Sequence, residues 1–412
     1  MTTKSGTRQL PKPSEIRELV RFRPVQWRAT PRRLSHSLTI DDLRKYARRT
    51  TPRAVFDYVD GAADGEITVD RNSAAFQRAT CFPEPLHDVS HPDLSSELLG
   101  RRIAMPLVFA PTGYTAMMHH LGEGAVARVA AQADIPYSLS TVGTTSIEDV
   151  RQLSPRGDLW FQLYVTNDRA LNAELVARAA AAGYGALLLT VDTSVAGSRL
   201  RDNRNGLTIP PTLSAKTFLD MSMHPNWWFN KLTLPTIEFA NLRGLRERTS
   251  SHGVASTMFD PGLNLKTLDW LRSAWPGKLL VKGILTVDAA REVIAHGADG
   301  VIISNHGGRQ LDRTPPTLDA LAPIREALGA DPTILLDGGV RNGQDILIAR
   351  ALGADAVMVG RAYLYGLMAG GEPGVRTAYE ILRSQYQRAL QLMGLSRTED
   401  LTRRHVQYTP QR

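Results

Sequence analysis

The sequence predicts a (β/α)8 TIM barrel, with a helical segment ahead of it and a long insertion after its fourth strand. Three observations carry this expectation. From about residue 105 onward, short apolar runs alternate with helix-length periodic stretches, as in repeated strand–helix units around a parallel sheet. The runs number eight, the count that closes such a barrel. Polar or charged residues stand where the runs end, at the edge where a barrel of parallel strands builds its chemistry. A doubly wound open sheet is the competing arrangement, and against it no GxGxxG follows the first run.

The strands are expected at 106–110 (PLVFA), 137–141 (YSLST), 160–165 (WFQLYV), 186–192 (ALLLTVD), 279–283 (LLVKG), 300–304 (GVIIS), 333–337 (TILLD) and 356–360 (AVMVG). Between them, LNAELVARAAAAG, VDAAREVIAHG and QDILIARALG read as helices that stop at glycine. The insertion, near 194–263, holds Pro210, Pro211, Pro225 and the cluster Trp227, Trp228 and Phe229, so it is expected outside the barrel core, as a lid or binding surface.

Of the 412 residues, 42% are hydrophobic and 22% charged, enough for one large α/β domain with an appendage. No apolar run approaches the ~18 residues of a membrane-spanning helix, and the first residues lack a signal peptide's apolar stretch, so an intracellular protein is expected. Cys81 is the only cysteine, which excludes an internal disulfide and a cysteine metal site; its thiol is expected to be packed, and no metal is expected. Residues 1–36 hold nine Lys or Arg against Glu15 and Glu18, a basic arm ahead of a domain spanning 37–412. Such an arm suits an acidic partner or anionic lipid, or is a solvated tail. No zinc-finger spacing or aromatic RNA-binding motif supports nucleic acid.

The most informative stretch is SNHGGRQLD, residues 304–312, because it follows the apolar run VIIS and brings a histidine and an arginine out together at a strand end. Reading the other ends the same way gives Thr112, Ser140, Gln162 with Tyr164, Thr190 with Asp192, Lys282, Ser304 with His306, Asp337 and Arg361. Each alone has a structural explanation, and an isolated histidine is more often structural than functional; the convergence is what points to a site. DGGVRNG after the seventh strand and GR after the eighth combine glycines with Arg341 and Arg361, where barrels commonly hold phosphate. Arg199 and Arg309, apart from that cradle, suit an anionic substrate through charge-assisted bonds, or else pair with neighbours such as Asp202 and Asp312.

Together SNHGGRQLD, FQLYV, LTVDT, VKG, DGGVRNG and VGRAYLYG resemble the FMN-dependent L-2-hydroxy acid dehydrogenase and oxidase family, from about Leu38 to Val406. RDNRNG, HPNWWF, TMFDP and GRAYLYGLMAGGE are most similar to its bacterial respiratory L-lactate dehydrogenases. The resemblance implies oxidation of an L-2-hydroxy acid to the 2-oxo acid. It makes His306 the active-site base and Asp192 its orienting carboxylate. Arg309, Arg199 and Tyr58 would hold the substrate carboxylate, with Tyr164 at the reacting hydroxyl and Lys282 beside the flavin. Tyr58 precedes the barrel, so its segment must fold over the mouth. Ala110, Pro111 and Thr112 would lie under the flavin ring, with Ser140, Gln162, Thr190 and Ser304 as polar contacts. Asp337 would take the ribityl chain, and Gly339, Arg341, Gly360 and Arg361 the phosphate.

The resemblance also implies a homotetramer, with quinone, cytochrome or O2 as acceptor. The protein is expected to be cytoplasmic; the basic arm with Trp227, Trp228 and Phe229 would place it peripherally on the inner face of the membrane, or else those aromatics pack the insertion against the barrel. Gly113 and Val142 stand where relatives carry larger residues, so a wider pocket, admitting mandelate-like acids besides lactate, is expected. Other flavin barrels, such as type 2 isopentenyl diphosphate isomerase or inosine monophosphate dehydrogenase, would share the phosphate cradle without needing His306, Arg309 and Arg199. A non-enzymatic adaptor would require an inactive site.

Overall fold

The computed structural model describes residues 12, 27–206, 215–233, 237–242 and 259–410. Pro210, Pro211 and most of the basic arm lie outside these. Eight strands, β1 Leu107–Phe109, β2 Tyr137–Ser140, β3 Leu159–Leu163, β4 Ala186–Thr190, β5 Lys278–Ile284, β6 Gly300–Ile303, β7 Thr333–Leu336 and β8 Ala356–Val359, close in sequence order into a parallel barrel. All eight expected strands are present, most of them a residue or two shorter at the C-terminal end. The residues trimmed off include the polar Thr141, Tyr164, Asp192, Ser304 and Asp337, which lie just beyond the hydrogen-bonded ladder.

The period-two alternation of a strand explains why. Val108, Trp160, Leu188, Leu280, Ile302, Leu335 and Met358 fill the barrel interior, over Leu98 and Ile103 of a small antiparallel ribbon, Ser96–Leu98 with Arg101–Ile103. Their sequence neighbours, such as Phe109, Phe161, Leu187 and Leu189, pack outward against the helices. Two residues beyond each interior position come Ala110, Gln162, Thr190, Lys282, Ser304, Asp337 and Gly360. The interior is therefore apolar up to one layer and polar in the next.

Helices end where expected: Arg169–Ala181, Val287–Ala295 and Gly343–Ala351 are followed by Gly183, Gly297 and Gly353, all with positive φ. Ahead of the barrel, helix Ile40–Thr50 starts with a capping box between Thr39 and Asp42 and packs on the long C-terminal helix Arg361–Leu392, to which Thr50 bonds at Met368 O. Helix Arg53–Asp60 and the following turn then cross the mouth, fixed by Ala63 N–H to Gly308 O and Asp64 N–H to Ser198 O, both 2.8 Å. The insertion contains helices Leu200–Arg204, Ala215–Ser222 and Pro225–Thr233 before the outer ring resumes at Leu265–Ala274. Cys81 departs from expectation: it lies in a short edge ribbon with Val406 as its cross-strand neighbour, and is exposed rather than packed.

Candidate active site

His306 follows β6 in a tight turn, with its backbone in the left-handed region at φ +58° and its N–H donating to Ser304 Oγ at 3.0 Å. Histidine tolerates this region better than most residues. The next two residues must also turn left-handed, and a Cβ at Gly308 would come 2.8 Å from Val69 N, so the glycines let the turn pack directly on helix Ile67–Phe76. This aims the imidazole into the mouth, with Nδ1 3.0 Å from Asp192 Oδ1 and Nε2 3.2 Å from Tyr164 OH.

Burial opposes ionisation of Asp192, but the charge and hydrogen bond of His306, with Lys282 nearby, outweigh it and hold the carboxyl below its ordinary range. Asp192 as an anion accepts from Nδ1–H, so that in the neutral ring Nε2 is the acceptor. Burial, and then the Asp192 charge, raise the Tyr164 phenol, so it remains a donor toward Nε2. A proton arriving at Nε2 would form an imidazolium facing a fixed anion, the requirement for a base that must become charged. Gln310, unassigned by the sequence reading although it lies within the informative stretch, donates to Asp192 O and Val195 O, each at 3.0 Å, and accepts from Gly197 N–H. It holds the Asp192 loop to the His306 turn.

The helix crossing the mouth brings Tyr58 between two guanidinium groups, Arg309 at 4.9 Å and Arg199 at 5.3 Å from its ring centre. Arg309 also donates to Tyr58 O and Gly61 O. Its guanidinium is pulled below its usual value by burial and then by repulsion from Arg199. The alternative partners resolve differently. Asp202 lies 3.2 Å from Arg199, whereas Asp312 accepts from Thr68 and Ile67 backbone N–H groups and caps a helix. Two mutually repelling cations with one weakly opposed carboxylate suit a substrate anion.

On the other side of the mouth, Lys282 Nζ bonds Ser304 Oγ at 2.7 Å and Asp337 Oδ2 at 2.8 Å. Ser140 Oγ donates to Gln162 Oε1 and Gln162 Nε2 donates to Thr190 Oγ1, at 3.0 and 2.9 Å, a polar chain across three strands. Thr112 meets Tyr363 OH at 2.7 Å, and that hydroxyl also donates to Ala110 O. Tyr363 thus fixes the Ala110–Pro111–Thr112 segment. It was missed because nothing in its helical context distinguishes it from a core aromatic.

Arg361 departs most from a simple phosphate contact. Its guanidinium donates to Val59 O at 2.8 Å, Gly307 O at 2.8 Å and Gly61 O at 2.7 Å, so it ties the crossing segment to the His306 turn. Burial, with Arg309 and Arg341 alongside, pulls it down to about 10. Gly339 has φ +90°, and a Cβ there would lie 2.3 Å from Asn72 O. Three clustered arginines, glycine turns and a buried Asp337 Oδ1 without a hydrogen-bond partner fit a ligand carrying both phosphate and hydroxyl groups.

Gly113 and Val142 touch. A Cβ on Gly113 would come 2.4 Å from Val142 Cγ2, so the valine methyl occupies the space that glycine leaves. The two small residues therefore open less room than two separate truncations would.

A parallel barrel whose mouth couples a carboxylate–histidine pair to paired arginines and a phosphate cradle is the architecture of a flavin-using barrel enzyme. Residues 47–408 match the family model described as FMN-dependent dehydrogenase, and the chain belongs to that family. It is 47% identical over 399 residues to the "Putative L-lactate dehydrogenase" of Mycobacterium tuberculosis, covering 97% of this chain and 96% of that one. It is 42% identical over 359 residues to the (S)-mandelate dehydrogenase of Pseudomonas putida, covering 86% of this chain and 90% of that one. A crystal structure of a monotopic membrane protein, (S)-mandelate dehydrogenase, superposes with TM-score 0.87 at 40% identity, over 91% of this chain and 100% of that one.

Proposed function

We propose that the protein oxidises an L-2-hydroxy acid to the 2-oxo acid, with L-lactate as first substrate and mandelate-like acids second. The observation that carries this is His306 held between Asp192 and Tyr164 beside the Arg309–Tyr58–Arg199 stack. Arg309 and Arg199 hold the substrate carboxylate with Tyr58, and Tyr164 bonds the reacting hydroxyl. His306 Nε2 takes one proton, from the α-carbon or from the hydroxyl as hydride leaves the carbon, and Asp192 stabilises the imidazolium. Bound FMN supplies the two-electron acceptor. Ala110, Pro111, Thr112, Ser140, Gln162, Thr190 and Ser304 would hold its ring, Asp337 the ribityl chain, and Gly339, Arg341, Gly360 and Arg361 the phosphate. Lys282 places a buried cation where the ring gains negative charge. Val142 and Gly113 border the substrate side chain.

We also propose peripheral membrane contact and a membrane quinone as acceptor, in a homo-oligomer. Among the described residues no helix is long and apolar enough to cross a membrane, yet the insertion helices expose Phe218, Leu219, Met223, Phe229 and Leu232. Such a patch suits an interfacial helix surface. The sequence-picked cluster divides: Trp227 packs inward, its Nε1–H donating to Met117 O at 2.9 Å, while Phe229 is exposed.

The test is anaerobic bleaching of the flavin band by a panel of L-2-hydroxy acids, followed by air. Bleaching by lactate, or by mandelate, with slow return of colour is expected. A flavin that no hydroxy acid bleaches rejects the substrate assignment, and rapid return of colour in air rejects a dehydrogenase in favour of an oxidase.

A further inference from the structure

A second cavity, of about 530 Å³, lies between helices Ile40–Thr50, Arg53–Asp60, Leu200–Arg204 and Ala215–Ser222, with His306 outside its lining. Five arginines line it against three aspartates, with Phe56, Asn205 and His224. Three of the arginines are neutralised within the wall. Arg44 donates to both oxygens of Asp60, at 2.5 and 3.0 Å, Arg53 lies 3.3 Å from Asp57, and Arg201 bridges Asp57, Asp60 and Glu66. Asp220 is engaged as well, accepting the Arg53 backbone N–H at 2.6 Å. Arg48 and Arg204 remain, exposed and without an ion-pair partner among the described residues.

Two guanidinium groups outside any ion pair face, among the described residues, one carboxylate outside an ion pair, Asp220, so the cavity keeps a surplus of positive charge that leaves a place for an anion. The guanidinium fork matches phosphate oxygens in pairs, and the space far exceeds the ~30 Å³ of a single water. We propose that this cavity binds a phosphate-class oxyanion. The source is the headgroup of an anionic lipid, because helix Ala215–Ser222, which contributes Asp220 to the wall, also exposes Phe218 and Leu219, 68% and 65% accessible. The headgroup would sit among the arginines while the acyl chains meet the apolar residues. The lipid source rests on the proposed membrane contact; the oxyanion site does not.

The test is isothermal titration calorimetry on the full FMN-loaded chain, its active site filled with a 2-oxo acid. The titrants are inorganic phosphate and dihexanoyl phosphatidylglycerol below its micelle concentration. Both are expected to bind once per chain and to compete. Arg48→Ala/Arg204→Ala should weaken both at least ~10-fold with turnover unchanged, and Arg48→Lys/Arg204→Lys should restore part of the loss. Failure of phosphate to bind, or equal binding by the alanine variant, overturns the site, and failure of the phosphatidylglycerol alone removes the lipid source. Sedimentation with phosphatidylglycerol vesicles separates the two ideas. Phosphate binding without sedimentation keeps the oxyanion site and removes the lipid, whereas sedimentation without a calorimetric signal removes the site and leaves membrane contact standing.

Discussion

At the scale of single residues, the division of labour around His306 follows from which groups keep their charge. Asp192 is buried, yet His306 and Lys282 hold its carboxyl below the ordinary value of about 3.9. A depressed carboxyl contributes stability that is present above that ordinary value and is lost as pH falls through the lower folded one. Asp192 is therefore an anion throughout the neutral range. Asp192→Asn removes that charge at every working pH, so flavin reduction should slow by roughly 10² or more, with no recovery between about pH 5 and 9. Stopped-flow reduction across that range checks it, and a rate within a few-fold of the unsubstituted protein would end the assignment. His306→Ala should slow reduction by roughly 10² to 10⁴ while the protein stays yellow, because the ring makes its protein contacts with Tyr164 and Asp192 rather than with the cradle. Colour lost together with activity would instead make His306 a structural residue. These residues were legible because strand-end position and residue type together reveal them. Gln310 and Tyr363 were not, since an amide joining two loops and a phenol capping a carbonyl leave no periodic or spacing signal.

At the scale of elements, the barrel was legible because each strand has one inward face, so the switch from apolar to polar along that face shows in sequence as a strand ending in Lys282, Asp337 or Gln162. How the segment ahead of the barrel crosses the mouth was legible only as a necessity, from Tyr58. Besides the backbone bonds of Ala63 and Asp64 and those of Arg309, the means includes Arg361, whose bonds to Val59 O, Gly61 O and Gly307 O join that segment to the His306 turn. Bonds to a charged donor contribute about 1.5 to 3 kcal/mol each, and their loss leaves carbonyls without this partner. Arg361→Leu should therefore destabilise the protein by at least ~2 kcal/mol even without FMN, in addition to weakening FMN binding. Urea unfolding of the FMN-free protein isolates the first effect. An unchanged midpoint would leave Arg361 with a phosphate role only.

At the scale of the whole molecule, two features favour an anionic surface by different physics. Residues 1–26 carry six Lys or Arg against Glu15 and Glu18, a long-range attraction that salt screens. The arm's remaining stretch includes helix Ala29–Ser35, docked through buried Leu34, so a clean deletion stops before it. The exposed Phe218, Leu219 and Phe229 act by apolar burial, which salt does not weaken. The sequence reading found the charge and, in Phe229, one member of this patch, but not Phe218 and Leu219, because helix Ala215–Ser222 is too short for its pattern to stand out from a loop. Full burial of a large apolar side chain contributes about 1.5 to 3 kcal/mol, and the membrane interface provides only part of that. Phe218→Ser/Leu219→Ser/Phe229→Ser should then lower partitioning onto phosphatidylglycerol vesicles at least ~10-fold at both low and high salt. Deleting residues 1–26 should lower it at low salt only. Sedimentation of the two variants at the two salt concentrations distinguishes the contributions. If the triple variant partitions normally, the apolar patch of the insertion is not the docking surface, and electrostatic attraction, by the arm and by Arg48 and Arg204, is left as the contact with the membrane.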